Sequence, residues 1–365
     1  MNDASAGVKT AFVTEGANQV TIYGLSPVER MRRFAVKAGL APVERMPATG
    51  PAIVADLGFA WDPAWLAWVK KAPGRAMAYG GRVVLAHYPD AAGRTGLDDI
   101  RDGERDASLY NETLRKREDA YVLPLTEENR RRIEKASYDG AYKGVTDLLT
   151  LYLWRGAAFH LTRLAAMLRL SPNMVSLIGI ALCVWAFFLF RDGRYWEGLA
   201  AGLVFMVLDT VDGKLARCTG TSSSIGNIID HGVDLVHPPF WYWAWGAGLG
   251  AWGQAMSPAE LWSVVAILVA GYAVQRLVEG AFIASFRGIH IHVWERIDSR
   301  FRLITARRNP NMVILFASLL AGEPRLGLLG VVWWTVISCV FHVVRLIQAY
   351  VRRASGHPVT SWLAD

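Results

Sequence analysis

The stretch LDTVDGKLARCTGTSSSIGNIIDHGVDLVH, Leu208 to His237, sets four aspartates into a strongly apolar neighbourhood. Asp209 and Asp212 are three apart and Asp230 and Asp234 are four apart, so on helices each pair shares a face. The polar run CTGTSSS between them predicts a turn, and a helical hairpin across it brings all four carboxylates together. Ionised acids inside apolar segments are costly and mark function. Four in one place repel one another unless a cation sits among them, and an all-oxygen set without cysteine suits Mg²⁺ or Mn²⁺. Lys214 and Arg217, close by in sequence, are candidates to take phosphate charge, and Gly213 and Gly226 leave room for a ligand beside the acids. A solvent-exposed hairpin with merely hydrated acids is the competing reading. The apolar runs on both sides argue against it.

Those runs fit the composition of the whole. The chain has 365 residues, 53% of them hydrophobic, with 15 Trp and a mean hydropathy of +0.22. These values predict a membrane protein with a soluble portion. The opening MNDASAGVKTAFVTEG lacks a basic start followed by an apolar run, which predicts no signal peptide and a cytoplasmic N-terminal part. Cys183, Cys218 and Cys339 form no CxxC pair, so a disulfide framework or zinc site is not expected. The net charge of +7 is carried by basic residues beside apolar segments. They read as flanks facing anionic lipid and not as a nucleic-acid surface.

Along the chain, residues 1–140 read as a cytoplasmic α/β domain and 141–355 as a membrane domain. QVTIYG (19–24) and RVVLAHY (82–88) predict strands. PVERMRRFAVKAGL (27–40) predicts an amphipathic helix opened by Pro27. PLTEENRRRIEKASYDG (124–140) predicts a helix capped by Thr126, and the polar run 90–107 a loop. Residues 147–169 alternate apolar positions with Arg155, His160, Arg163 and Arg169. They predict a helix along the membrane surface or, alternatively, a linker helix packed on the N-terminal domain. Six membrane spans are then expected, near 173–190, 196–216, 223–250, 260–284, 310–322 and 325–348, with both termini on one side. Arg287, Arg296, Arg300, Arg302, Arg307 and Arg308 outnumber the basic residues of the other face, Arg191, Arg194 and Arg325. Positive-inside reasoning puts this segment, the termini and the acidic cluster on the cytoplasmic side of the inner membrane.

Asp209-x-x-Asp212-Gly213-x-x-Ala216-Arg217, eight residues, then Gly226-x-x-x-Asp230-x-x-x-Asp234 resembles the full signature of the CDP-alcohol phosphatidyltransferases. The resemblance covers roughly 145–350, including the SPN at 171–173. It implies a six-span helical membrane fold, commonly a homodimer, and a two-metal site. It also implies transfer of a phosphoalcohol from a CDP-alcohol to a hydroxyl acceptor with release of CMP. Asp209, Asp212 and Asp230 would be the main metal ligands. Asp234 would be the general base, with a metal contact as well. Asp209, Asp212, Gly213, Ala216, Arg217 and Gly226 would bind the CDP-alcohol. Two arrangements stay open, a CDP-lipid with a polyol-phosphate acceptor or a CDP-headgroup with a lipid acceptor. Lys143, Arg155, Arg302, Arg307 and Arg308 are candidates for an acceptor phosphate, or equally are lipid-facing flanks.

Segments 26–40 and 50–69 resemble pieces of sugar nucleotidyltransferases, which some relatives fuse to this membrane domain. The glycine-rich nucleotide loop of that family is missing from the first thirty residues, where TIYGLSP offers one glycine. An inactive remnant is expected, with Asp56 a capping or surface acid. A bifunctional cytidylyltransferase and phosphotransferase is the alternative. A non-catalytic scaffold would better suit a broken acidic motif.

Overall fold

The computed structural model describes residues 9–363 except 112, 113, 115 and 223, and leaves out the side chains of 118, 224, 225, 227 and 229–231. The chain packs as two compact units. The first is Met1–Tyr142 with Thr162–Leu170 and Lys214–Ser222, and the second is Lys143–Leu161, Ser171–Gly213 and Ser223–Asp365.

The first unit is built on a mixed sheet. Strands β1 (Ala11–Glu15), β2 (Ala41–Pro42), β3 (Ala52–Asp56), β4 (Phe59–Trp61), β5 (Arg75–Tyr79), β6 (Arg82–Tyr88) and β7 (Asp99–Asp102) are described. Six of them form one sheet in the order β2-β1-β3-β6-β5-β7, and β4 pairs instead with β10 (Val122–Pro124). β8 (Ser108–Asn111) and β9 (Lys116–Asp119) form an antiparallel hairpin. The β3 sequence AIVAD is buried over its first four residues, as a strand covered on both faces must be. Helices α1 (Pro27–Lys37) and α2 (Pro63–Lys70) each open with proline behind a capping side chain, Ser26 and Asp62. Both follow the preference for an oxygen-bearing cap and a proline in the first turn. Phe12, Ile53, Trp61, Trp65, Leu66, Met77 and Leu85 form the core between them.

Several expectations change here. QVTIYG is no strand. Tyr23 (φ 50°) and Gly24 (φ 73°) are left-handed, and Tyr23 is pinned by its hydroxyl to the Glu134 carbonyl at 2.7 Å. Helix α3 (Arg130–Gly140) starts four residues after Thr126, whose Oγ1 accepts from Asn129 N at 3.2 Å in the turn before it. Within the expected loop 90–107, β7 adds to the sheet edge in parallel with β5. Asp56 takes Gly58 N at 2.8 Å and the Arg82 guanidinium at 2.5 Å, as a loop-capping acid does.

In the second unit a π-helical turn, Leu149–Leu153, precedes α4 (Arg155–Met167). The continuous helix expected over 147–169 breaks at Trp154, whose buried indole donates to Thr210 Oγ1 at 3.1 Å. Residues 162–170 pack in the first unit, where Arg163 Nε meets Glu134 Oε2 at 2.7 Å. Their placement follows the linker-helix alternative. Then come α5 (Pro172–Arg191), α6 (Tyr195–Cys218), α7 (Ser224–Gly248), α8 (Pro258–Ser285), α9 (Arg296–Arg302), α10 (Arg308–Leu320) and α11 (Pro324–Ala354).

The six-span expectation is overturned. Among the described residues three helices, α5, α8 and α11, are long and apolar enough to cross a membrane, with mean hydropathies of 2.2, 1.7 and 2.0. Their outward apolar side chains, such as Leu277 at 72% and Trp333 at 69% exposure, suit lipid. Helix α6 carries Asp209, Asp212, Lys214 and Arg217 toward its end. Helix α7 carries Asp230 and Asp234 with Pro238 and Pro239 in its interior. Helix α10 has 13 residues, about 20 Å of helix against a hydrocarbon core of about 30 Å. The argument that placed both termini on one side loses its basis. Nor is the chain a separate α/β domain followed by a helical one, because 162–170 and 214–222 pack in the first unit.

Candidate active site

Three elements hold the acids. Helix α6 presents Asp209 and Asp212 one turn apart, and α7 carries Asp230 and Asp234 one turn apart. The first residue of α10, Arg308, links them. Its Nη2 donates to Asp209 Oδ2 at 2.7 Å and its Nη1 to Asp234 Oδ1 at 2.8 Å. One guanidinium therefore bonds carboxylates from both halves of the hairpin. Arg308 lies 4.8 Å over the Phe205 ring, and its Nε donates to Asn309 Oδ1 at 3.1 Å. Asn309 in turn reaches Thr150 Oγ1 at 3.3 Å. Burial opposes the Arg308 charge, but the Asp209 and Asp234 carboxylates outweigh it and raise its pKa.

Asp212 is buried, and the Ser176 hydroxyl of α5 donates to its Oδ2. Ser176, Gly179, Phe205, Asp209, Asp212 and Val233 line a cleft of about 10 Å³, room for one water-sized body. Asp234 is half exposed, and its backbone carbonyl accepts from the Tyr272 hydroxyl at 3.2 Å. The Asp230 side chain lies outside the described residues, and Gly226 sits half-buried on α7. Among the described residues no group of three or more His, Cys, Asp and Glu is placed to hold a metal. The donor chemistry of Asp209, Asp212 and Ser176 is all oxygen and fits a hard divalent cation. Arg308 holds Asp209 Oδ2 and Asp234 Oδ1, two of the atoms such an ion would use.

The remaining sequence candidates divide. Gly213 follows Asp212 and is half-buried. Ala216 and Arg217 lie on the last turn of α6, within the first unit. Lys214 is buried there, donating to the Ala141 carbonyl at 3.1 Å with its ammonium 3.0 Å from the Tyr142 ring centroid. Its expected role as a phosphate ligand gives way to packing. Arg307 Nη2 bonds Glu279 Oε1 at 2.6 Å and lies 3.3 Å from His292 Nε2. Burial, then the neighbouring Arg307, lowers the Arg302 guanidinium to about 9, and its Nη1 is buried without a hydrogen-bond partner. Lys143 is exposed and Arg155 half-buried. Sequence reading missed Ser176 and Phe205. A lone hydroxyl in NMVSLIG was the available signal for the first, while nothing in the sequence marks Phe205.

Removing Arg308 tests its counter-ion role. Arg308→Met is expected to lower metal-free stability by about 1–3 kcal/mol. That is below the cost of breaking a fully buried pair, because Asp234 is half exposed. Unfolding in detergent with EDTA measures it. An unchanged melt would show that the bridge contributes nothing.

With this geometry in view, residues 169–305 match the CDP-alcohol phosphatidyltransferases. An uncharacterized class-I member of this family from Schizosaccharomyces pombe is 32% identical over 83 residues, 20% of this chain and 22% of that protein. Human cholinephosphotransferase 1 is 31% identical over 131 residues, 32% of this chain and 30% of that protein. The Danio rerio cholinephosphotransferase 1 is 26% identical over 136 residues, 32% of each chain. The chain thus spans a third or less of the length of these three curated relatives. A Mycobacterium tuberculosis phosphatidylinositol phosphate synthase with CDP-DAG bound is similar over 52% of this chain and 92% of its own, at TM-score 0.40 and 17% identity. The same synthase, with manganese and citrate, gives TM-score 0.40 and 17% identity over 52% of this chain and 88% of its own.

Proposed function

We propose that this chain transfers a phosphoalcohol group from a CDP-alcohol to a hydroxyl acceptor and releases CMP. The supporting observation is the shared guanidinium of Arg308, which draws Asp209 and Asp234 from separate helices to one point. Asp209, Asp212 and Asp230 would hold divalent cations, Mg²⁺ or Mn²⁺ in a two-metal site. Such ions, when bound, neutralise the pyrophosphate and stabilise departing CMP. Asp234, half exposed at the edge of the cleft, accepts the proton of the attacking hydroxyl. The new P–O bond forms as the bond from that phosphorus to CMP breaks. Gly213, Ala216, Arg217 and Gly226 would bind the donor, as the signature implies. The cluster lies on the cytoplasmic side, since Arg308 belongs to the basic segment 287–308. A homodimer is proposed on the family resemblance alone.

The name cholinephosphotransferase, carried by several relatives, supports a headgroup phosphate as the group transferred, and with it a CDP-headgroup donor and a lipid acceptor. A second reading, a CDP-lipid donor with a phosphorylated polyol acceptor, is favoured by Arg302 and Arg307, which put two cations beside each other. We read the first unit as lacking cytidylyltransferase activity. Purified protein with Mg²⁺ is expected to release CMP from one donor and acceptor pair in a screen that separates the two readings by lipid mass. Given CTP and a phosphorylated alcohol instead, it is expected to form no CDP-alcohol. No CMP from any pair would reject the transferase reading.

A further inference from the structure

Asp147 is a buried carboxylate of the second unit that the proposed reaction does not use. It stands just before the π-helical turn Leu149–Leu153 and caps it. Its Oδ1 accepts from Thr150 N at 3.0 Å and its Oδ2 from Thr150 Oγ1 at 2.8 Å. A serine or an asparagine caps as well, and a buried charge costs stability unless it is compensated. The compensation lies on the far side of Thr150. Thr150 Oγ1 accepts from Asn309 Nδ2 at 3.3 Å, and Asn309 Oδ1 accepts from Arg308 Nε at 3.1 Å. A chain of hydrogen bonds therefore leads from Asp147 to the guanidinium that bridges Asp209 and Asp234. Burial opposes the Arg308 charge, while Asp209, Asp234 and, less strongly, Asp147 favour it.

Arg308 and a hard cation compete for the same atoms. Arg308 Nη2 holds Asp209 Oδ2 at 2.7 Å and Nη1 holds Asp234 Oδ1 at 2.8 Å. A divalent ion sits closer than that to its carboxylate oxygens, at about 2.0–2.6 Å. Two positive groups on one oxygen repel, and water screens them little here, because the Arg308 side chain is 12% exposed and that of Asp209 20%. A guanidinium that leaves the acids needs another carboxylate, since a buried charge without a partner is strongly destabilising. Asp147 is the acid on its hydrogen-bonded path.

We propose that Arg308 gives up Asp209 and Asp234 to a divalent cation, and that Asp147 is the positioning residue that receives the guanidinium. The proposal rests on the metal-site reading above, and its test does not use turnover. In the bridged arrangement Arg308 gathers the acids and caps Asp234 Oδ1. Once it swings to Asp147, Asp209 is free for the cation and Asp234 Oδ1 for the acceptor's proton.

Mn²⁺ affinity of the full chain in detergent, with no substrate present, is measured by paramagnetic resonance. Arg308→Met is expected to bind Mn²⁺ about 10-fold more tightly than the unaltered chain, since no bridge has to open. Arg308→Lys keeps the charge but lacks the fork that holds two carboxylates at once, and is expected to bind several-fold more tightly. Asp147→Asn keeps the cap and removes the receiving charge, and is expected to bind several-fold more weakly. In the Arg308→Met background the same change is expected to alter affinity less than ~2-fold, because no guanidinium is left to receive. A residue that only caps would leave Mn²⁺ affinity unchanged in both backgrounds, and a bare loss of negative field would lower it equally in both. Either result overturns the proposal. So does an Arg308→Lys variant with the affinity of the unaltered chain, which decides the matter should Asp147→Asn fail to fold. Those outcomes leave the metal-site reading standing, whereas no Mn²⁺ binding by the unaltered chain removes both.

Discussion

Asp212→Asn is expected to leave no detectable CMP release while the protein stays folded. Asp212 is the buried member of the cluster, with the Ser176 hydroxyl donating to its Oδ2. Asparagine has the same size, and its amide oxygen can still accept from Ser176, so packing between α5 and α6 survives. The negative charge is what disappears. A hard cation selects anionic oxygen, and a neutral amide in the most enclosed position removes the ligand least replaceable by water. Mn²⁺ affinity, measured by paramagnetic resonance on the purified variant, should fall together with turnover. Chelation should do to the unmodified protein what the substitution does. Undiminished CMP release in excess EDTA, or an active Asp212→Asn variant, would remove the metal-site reading.

The parts of this site that could be read from the sequence are those that a helix converts from spacing into geometry. Three- and four-residue intervals become shared faces, so the two aspartate pairs were legible without any tertiary information. Their convergence rested on a turn at CTGTSSS. Arg308 bonds one member of each pair, Asp209 and Asp234, across sequence separations of 99 and 74 residues. No local pattern gives a contact of that range, so the sequence offers Arg308 as an acceptor-phosphate candidate and does not show its bonds to Asp209 and Asp234. Lys214 failed for a related reason. Its neighbourhood in sequence is the acids, but its direction around α6 takes it to Tyr142 and Ala141.

Hydropathy misled in a different way. Helices do form at each of the six apolar segments, but an apolar helix is not yet a span. Helix α10 is too short, and α6 and α7 carry the chemistry that an unbroken hydrocarbon-facing helix excludes. In the first unit RVVLAHY, buried over its last five residues, pairs as β6 as read. The similar promise of QVTIYG yields to the left-handed pair Tyr23–Gly24 and to Glu134, more than a hundred residues away. The polar strand DIRD at β7 shows the converse. It exists through pairing with β5 at an edge, where no apolar alternation is needed.

Asp234→Asn is expected to lower turnover about 10²–10⁴-fold, the usual range for removing a general base, and to leave donor binding near normal. The structure gives reasons to expect that separation. Asp234 is half exposed, at the edge of the cleft, whereas Asp209 and Asp212 line it. Its Oδ1 accepts from Arg308 Nη1 at 2.8 Å, and an asparagine oxygen accepts the same bond. The new amide can turn its NH₂ to solvent, so neither the bridge nor the fold need change. What the variant loses is a site for the acceptor's proton, an interaction made only as the hydroxyl attacks. A loss confined to the transition state lowers kcat and kcat/KM together and leaves ground-state affinity alone. Calorimetry of CDP-alcohol binding at saturating Mg²⁺ with the acceptor omitted, beside initial rates, separates the roles. If donor affinity, metal affinity and rate fall together in a folded variant, Asp234 is chiefly a ligand, and the proton must go to another base while the metal-site reading stands.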